Sequence, residues 1–150
     1  MDFENPLQEF VIMGRVAEEL DVFGMKVKMR ILNSGQRRDI LEETGGLDGV
    51  TRAHQIQILT LSRAIVSVNG KRIQYTPKTK DEPITIEKTV NQNKECLEQV
   101  QQPVLDYLYE KYAELVEHQT QKIEELKKKS VKAGQEPSGP LESPQVSIES

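Results

Sequence analysis

The sequence predicts an α+β fold, in which a small antiparallel sheet of about four strands, built from two hairpins, is packed by helices. Three observations support this prediction. Residues 25–31 alternate strictly between apolar and basic side chains, and an Asn-Gly pair at residues 69–70 lies between two β-prone runs. Apolar residues also recur at spacings of three and four in residues 48–65 and 104–126. Periods of two and of 3.6 residues are typical of strands and of helices, respectively.

The alternating run indicates a strand with one wet face lying over a core. Residues 9–16 alternate in the same way, although less strictly. We therefore expect residues 9–16 and 22–32 to pair as a hairpin, with the acidic residues 17–21 and Gly24 supplying the reversal. The apolar side of the second strand carries Met25, Val27, Met29 and Ile31, and the charged side carries Lys26, Lys28 and Arg30.

Two helices are expected after this hairpin. The first runs from Gln36 to Glu43, with Ser34 as its N-cap, and ends at a pair of glycines. Its buried side chains are expected to be Ile40 and Leu41. The second helix begins after Asp48 and is expected to be the most buried one, with apolar residues at Val50, Ala53, Leu61, Ala64 and Ile65 among others.

The strongest local signal is Asn69-Gly70, because a two-residue hairpin turn needs positive φ at both central residues. In this register Val68 lies opposite Lys71, and Val66 lies opposite Ile73. Pattern and turn chemistry therefore agree on a second hairpin.

The C-terminal third is expected to be helical, with an interruption at Pro103 because proline lacks a backbone donor and disfavours helix in the residue before it. This gives helices over roughly 86–101 and 103–129. The last helix carries two apolar rows. The first row is Leu105, Leu108, Tyr112 and Leu115, and the second row is Tyr109, Val116 and Ile123.

The domain organisation follows from these elements. Residues 1–129 are expected to form one domain, with the sheet and two helices in residues 1–85 and further helices in residues 86–129. Residues 130–150 are rich in proline, serine, glycine and glutamine, and we expect them to be a disordered tail.

Composition narrows the classes of function. Of the 150 residues, 29% are charged and the net charge is −4, which argues against a dedicated nucleic-acid binder. No apolar run has the length of a membrane span, and the start, Met1–Pro6, lacks the features of a signal peptide. We therefore expect an intracellular, cytoplasmic protein. The single Cys96, expected to be buried or on a helix surface, fits a reducing compartment.

No residue set in the sequence predicts catalysis, a metal site or a cofactor. His54 and His118 are far apart and lack a second ligand at metal-binding spacing. The adjacent carboxylates Glu42-Glu43 and Glu124-Glu125 diverge on their helices. We therefore expect a protein that is not an enzyme and that acts through contact with another protein.

Two groups of residues are candidate partner-binding sites. The first lies on the last helix and comprises Tyr109, Tyr112, Val116 and Ile123. One apolar row suffices to dock a helix on its own domain, so the second row is open to a partner helix or to a homo-oligomer, or else widens the core-facing arc. The second group is the basic row Lys26, Lys28 and Arg30, which suits an acidic protein surface or nucleic acid, or serves only solubility.

Three segments carry a resemblance to a known family: Val27–Leu32, Leu47–Ile73 and Leu105–Tyr112. In their order, with a short helix after the first, they resemble the tail assembly chaperones of tailed bacteriophages and the related T-even-type baseplate hub assembly proteins. The resemblance covers roughly residues 8–127. Proteins of this kind keep the apolar surface of the tape measure protein from aggregating before tail-tube subunits assemble around it, and they have no active site.

The resemblance thus implies a virion morphogenesis factor in the host cytoplasm, with tape measure, tail-tube or baseplate hub protein as its partner. Some relatives carry an alternative C-terminal extension made by ribosomal frameshifting. A permanent structural subunit of the tail or baseplate, located in the virion, is an alternative function. A small nucleic-acid-binding protein is a second alternative.

Overall fold

The computed structural model describes Asn5, Leu7 and residues 17–135. It confirms the α+β fold, with one four-stranded antiparallel sheet in the order β1-β2-β3-β4 and a long C-terminal helix. The chain forms two compact units, divided between Leu115 and Val116. The elements are β1 (Ala17–Val22), β2 (Met25–Arg30), α1 (Ser34–Glu43), α2 (Gly49–Ala64), β3 (Ile65–Val68), β4 (Lys71–Arg72), α3 (Ile86–Leu97) and α4 (Gln102–Gln135).

The first hairpin differs from the prediction. β1 pairs with β2 along its whole length, from Ala17 opposite Arg30 to Val22 opposite Met25. The reversal is the two-residue turn Phe23-Gly24, in which both residues have positive φ. The prediction that residues 17–21 connect two strands was therefore wrong. These residues are rich in charge, and a strand with one solvent-exposed face can have as many charged residues as a loop. The expected strand over residues 9–16 lies outside the described residues.

The second hairpin is confirmed. Asn69 and Gly70 have φ values of 51° and 80°, Val68 lies opposite Lys71, and the Ile73 N–H donates to the Val66 carbonyl at 2.9 Å. Asn69 also joins this hairpin to β2. Its N–H donates to the Lys26 carbonyl at 2.7 Å, and its Oδ1 accepts from the Lys26 N–H at 2.9 Å. One turn residue therefore holds the two hairpins together.

The core lies between the sheet and α2. Val27 and Met29 on β2 are buried, whereas Lys26, Lys28 and Arg30 are exposed, which confirms the predicted alternation over residues 26–30. Met25, at the start of the strand, was predicted on the apolar side but is 42% exposed. Helix α2 contacts β2 and β3 and packs against α3. As predicted, α2 is the most buried helix, and its buried residues are Ile58, Leu59, Thr60, Leu61, Ser62 and Ala64.

Three residues of α1 and α2 that were predicted to be buried are exposed, and one cap was misplaced. Leu41 is 49% exposed because the short helix α1 buries only Ile40. Val50 and Ala53 face solvent because α2 becomes buried only from Ile58 onward. The N-cap of α1 is Asn33 rather than Ser34. Asn33 and Gln36 form a reciprocal capping box, which satisfies two backbone donors.

The interruption near Pro103 is confirmed, since α3 ends at Leu97 and α4 begins at Gln102. Pro103 lies in the first turn of α4, where its missing N–H would have no helical partner. Helix α4 continues to Gln135, so the tail was predicted to begin several residues too early. Residues 136–150 lie outside the described residues.

The loop between β4 and α3 is anchored by one carboxylate. Glu82 accepts hydrogen bonds from the Lys78 N–H at 2.8 Å, the Tyr75 hydroxyl at 2.9 Å and the Lys88 ammonium at 3.1 Å. The bond from the Lys78 N–H, followed by those from Lys88 and Tyr75, lowers the pKa of Glu82 from 4.5 to about 2. The ionised form of Glu82 therefore holds the loop in place.

Asn69 offers a test of the turn. We expect Asn69→Ala to lower the free energy of unfolding by about 1–2 kcal/mol, because a residue with a Cβ is strained at positive φ. Asn69→Gly should cost less, since glycine adopts this conformation freely, and its remaining loss is that of the side-chain acceptor for the Lys26 N–H, which alanine lacks as well. Urea denaturation of the wild type and the two variants measures their free energies of unfolding. An equal loss for alanine and glycine would show that the backbone conformation is not what Asn69 contributes.

Glu82 predicts a pH dependence of stability. Its pKa is lower in the folded protein than the unfolded value of 4.5, so its contribution is complete above about pH 4.5 and is lost as the pH falls toward 2. We expect the difference in unfolding midpoint between wild type and Glu82→Gln to be constant near neutral pH and to shrink below pH 4.5. The exposed Glu98→Gln is the control, and a difference that stays constant down to pH 2 would refute this role of Glu82.

Candidate protein-binding surfaces

The first apolar row of α4 belongs to the core of the first unit. Leu105 and Leu115 are buried, and Tyr112 is only 7% exposed. The Leu32 N–H donates to the Tyr112 hydroxyl at 3.1 Å in a buried position, and burial raises the pKa of Tyr112 above its ordinary value. The structure therefore places Tyr112, which was predicted to bind a partner, in the core of the first unit. Its hydroxyl instead satisfies a backbone donor that the end of β2 would leave unpaired.

Tyr109 lies beside this core position. Its ring is 6.1 Å from that of Tyr112 in a stacked arrangement, and the residue is half-buried. Tyr109 is thus partly accessible and also contacts the core residue Tyr112.

The second unit carries exposed apolar residues on α4. Ile123 is 45% exposed and Leu126 is 53% exposed, while Val116 is half-buried. Ile123 and Leu126 are three residues apart, so they lie on one side of the helix; we call them the distal apolar pair. Ile123 was among the predicted site residues. Leu126 was not, although its helical spacing from Ile123 was visible in the sequence.

The basic row lies on the solvent-exposed face of the sheet. Its strand, β2, is not an edge strand, because it pairs with β1 on one side and β3 on the other. Lys26, Lys28 and Arg30 are all exposed. Lys26 forms an ion pair with Asp21 at 3.3 Å, and Glu19 lies directly opposite Lys28. These acidic neighbours on β1 lower the positive potential of the row. The arrangement therefore adds no support to a nucleic-acid-binding function.

A small aromatic surface was missed by the sequence analysis. Phe23, at the tip of the first hairpin, is 60% exposed and its ring lies 4.7 Å from the Tyr107 ring. The Lys111 ammonium lies 5.4 Å from the centre of the same Tyr107 ring. A phenylalanine with positive φ is uncommon, because its Cβ crowds the backbone. Contact with Tyr107 partly offsets that cost.

An open groove of about 610 Å³ lies between the first half of α2 and the start of α4. Its polar side chains bond to one another. The Gln57 and Gln102 amides donate to Asp106 Oδ1 at 3.2 and 2.7 Å, and Gln102 also donates to Gln57 Oε1 at 3.2 Å. The groove is lined by Val50, Thr51, Ala53, His54, Gln57, Gln102 and Asp106. Its ionisable side chains are those of His54 and Asp106.

The remaining candidate residues lie apart from these surfaces. Cys96 is exposed on α3, which agrees with a helix-surface thiol. Within the part of the chain that the structure describes, no three histidine, cysteine, aspartate or glutamate side chains are placed to hold a metal ion.

Searches against protein-family models, curated proteins and solved structures found no match to this chain. None of the helices within residues 17–135 combines the length and apolar character needed to cross a membrane.

The two tyrosines of α4 allow a matched test. We expect Tyr112→Phe to lower the free energy of unfolding by about 1–3 kcal/mol, because the buried Leu32 N–H would lose its acceptor. Tyr109→Phe removes the same atom from a half-buried ring and should change stability by less than about 0.5 kcal/mol. Urea denaturation measures both, and equal effects would contradict the role assigned to the Tyr112 hydroxyl.

Proposed function

We propose that this protein is a non-catalytic assembly factor that binds another polypeptide through the exposed apolar side of α4. The observation that carries the proposal is the exposure of the distal apolar pair on a helix whose first row is committed to the core of the first unit. Covering exposed isoleucine and leucine side chains removes apolar area from water, which favours association. An amphipathic helix face is also a common mode of protein recognition.

The size of this surface favours a transient contact. Fully burying one isoleucine or leucine contributes about 1.5–3 kcal/mol, and both side chains are already about half covered. The pair therefore supplies only a small part of the roughly 8 kcal/mol of a micromolar complex. A factor that must release its partner during assembly suits such a contact better than a permanent subunit does.

The resemblance to tail assembly chaperones specifies the system. We infer a factor of bacteriophage tail or baseplate morphogenesis, acting in the host cytoplasm, with tape measure, tail-tube or baseplate hub protein as partner. The resemblance of Val27–Leu32, Leu47–Ile73 and Leu105–Tyr112 supports this choice, and the accessible helix face supplies the surface that the function needs.

The proposal predicts the outcome of a pull-down from phage-infected cells. Tagged wild-type protein is expected to retain a tail protein identified by mass spectrometry. Ile123→Glu/Leu126→Glu should lose it, because charged side chains cannot be covered by an apolar surface without a large desolvation cost.

A control pair on the opposite side of α4 is Gln121→Glu/Lys128→Gln, since each of these four substitutions lowers the net charge by one unit. The control pair should retain the partner. A wild-type pull-down without any tail protein would contradict the phage assignment. Purified virions address the alternative, since an assembly factor should be missing from them, whereas a structural subunit would be present in fixed copy number.

A further inference from the structure

We propose that the distal apolar pair selects an amphipathic helix with acidic residues beside its apolar side, and that it disfavours antiparallel pairing with a second copy of this chain. This inference rests on the proposed function, in which the same face of α4 binds a polypeptide. It adds the chemistry of the partner. The argument depends on where the lysines and glutamates of the second unit lie around the helix.

Lysines border the distal apolar pair on both sides. With about 100° of rotation per residue, Lys127 lies about 70° to one side of the midpoint between Ile123 and Leu126, and Lys129 lies about 90° to the other side. Both lysines are exposed. A helix packed on the pair would therefore meet positive charge along both of its borders, as at the flanking positions of a coiled coil.

The glutamates of this region lie farther from the pair. Glu124 and Glu125 are about 130° from the same midpoint, and Glu117 is about 150° away. The Glu124 carboxylate forms an ion pair with the Lys127 ammonium at 3.1 Å, and both side chains are more than half exposed. Exposed pairs of this kind contribute little and exchange readily. Lys127 can therefore turn toward an acidic side chain of a bound helix.

The same arrangement disfavours pairing with a second copy. If two α4 helices packed antiparallel on this pair, the border of one helix that carries Lys127 would face the same border of the other, and so would the border that carries Lys129. Like charges along both borders act against association, whereas acidic residues at these positions would attract. The pattern thus disfavours an antiparallel homo-oligomer built on the distal apolar pair.

The surface is also short. Gln119, one turn before Ile123, is already buried in the structure and ends the accessible row on that side. Ser130, one turn beyond Leu126, is exposed and small. A bound helix would therefore contact about two turns of α4, so we expect an affinity in the micromolar range or weaker.

Two synthetic peptides test the inference with the full-length protein. Both are amphipathic helices of about 21 residues with the same leucine and isoleucine side, and they differ only in having glutamate or lysine along its borders. Fluorescence anisotropy at low salt should show at least about tenfold tighter binding of the glutamate peptide. The difference should shrink as salt is added, because exposed charges are screened.

Two adjacent lysines provide matched variants. Lys127→Glu reverses a charge at the border of the pair and should weaken binding of the glutamate peptide by about threefold to tenfold. Lys128→Glu makes the same change on the opposite side of α4 and should alter binding by less than about twofold. Circular dichroism of both variants verifies that the helix content is retained, and sedimentation equilibrium of the wild type should show no dimer that Ile123→Glu abolishes.

The outcomes separate this inference from the proposed function. Equal binding of the two peptides, or equal effects of the two lysine variants, would overturn the acidic-helix partner while leaving an apolar binding face. Binding of neither peptide would also overturn it, and the pull-down from infected cells would still decide the proposed function. A dimer that depends on Ile123 would show that the lysine borders do not prevent self-association.

Discussion

The buried hydrogen bond between the Leu32 N–H and the Tyr112 hydroxyl joins two parts of the first unit that lie far apart in the sequence. A backbone donor cannot be buried without an acceptor, and here the acceptor comes from a helix 80 residues later in the chain. Directing Tyr112 inward places Leu105 and Leu115 inward as well, since all three lie within one arc of the helix. This hydrogen bond therefore fixes both the rotation of this part of α4 about its axis and the path of the chain after β2.

The sheet shows how a charged strand can be stable. Apolar side chains of β2 face α2, and on the wet face the lysines of β2 lie opposite the acids of β1. This pairing spreads both signs of charge across the surface. It lowers the positive potential of the basic row on β2. The two hairpins are joined by Asn69, whose side chain and backbone both bond to Lys26.

Helix α4 serves two purposes along its length. In the first unit its apolar residues complete a core, and in the second unit the distal apolar pair remains accessible between lysine borders. A small apolar contact with charge selection gives modest affinity and higher specificity, because unfavourable charges exclude wrong partners. Such a contact suits a factor that holds a partner briefly and then gives it up.

Local chemistry in the sequence determined the Asn-Gly hairpin, the alternation of β2, the helix break near Pro103 and the α+β class, because each depends on residues close together in the chain. Only the tertiary structure decided that residues 17–21 form a strand, that Leu41 and Val50 face solvent, and that Tyr112 belongs to the core. These depend on which neighbour covers a side chain, and the periodicity of one segment does not specify its neighbour. For the same reason, the sequence could predict two apolar rows on α4 but not which of their residues other elements would cover.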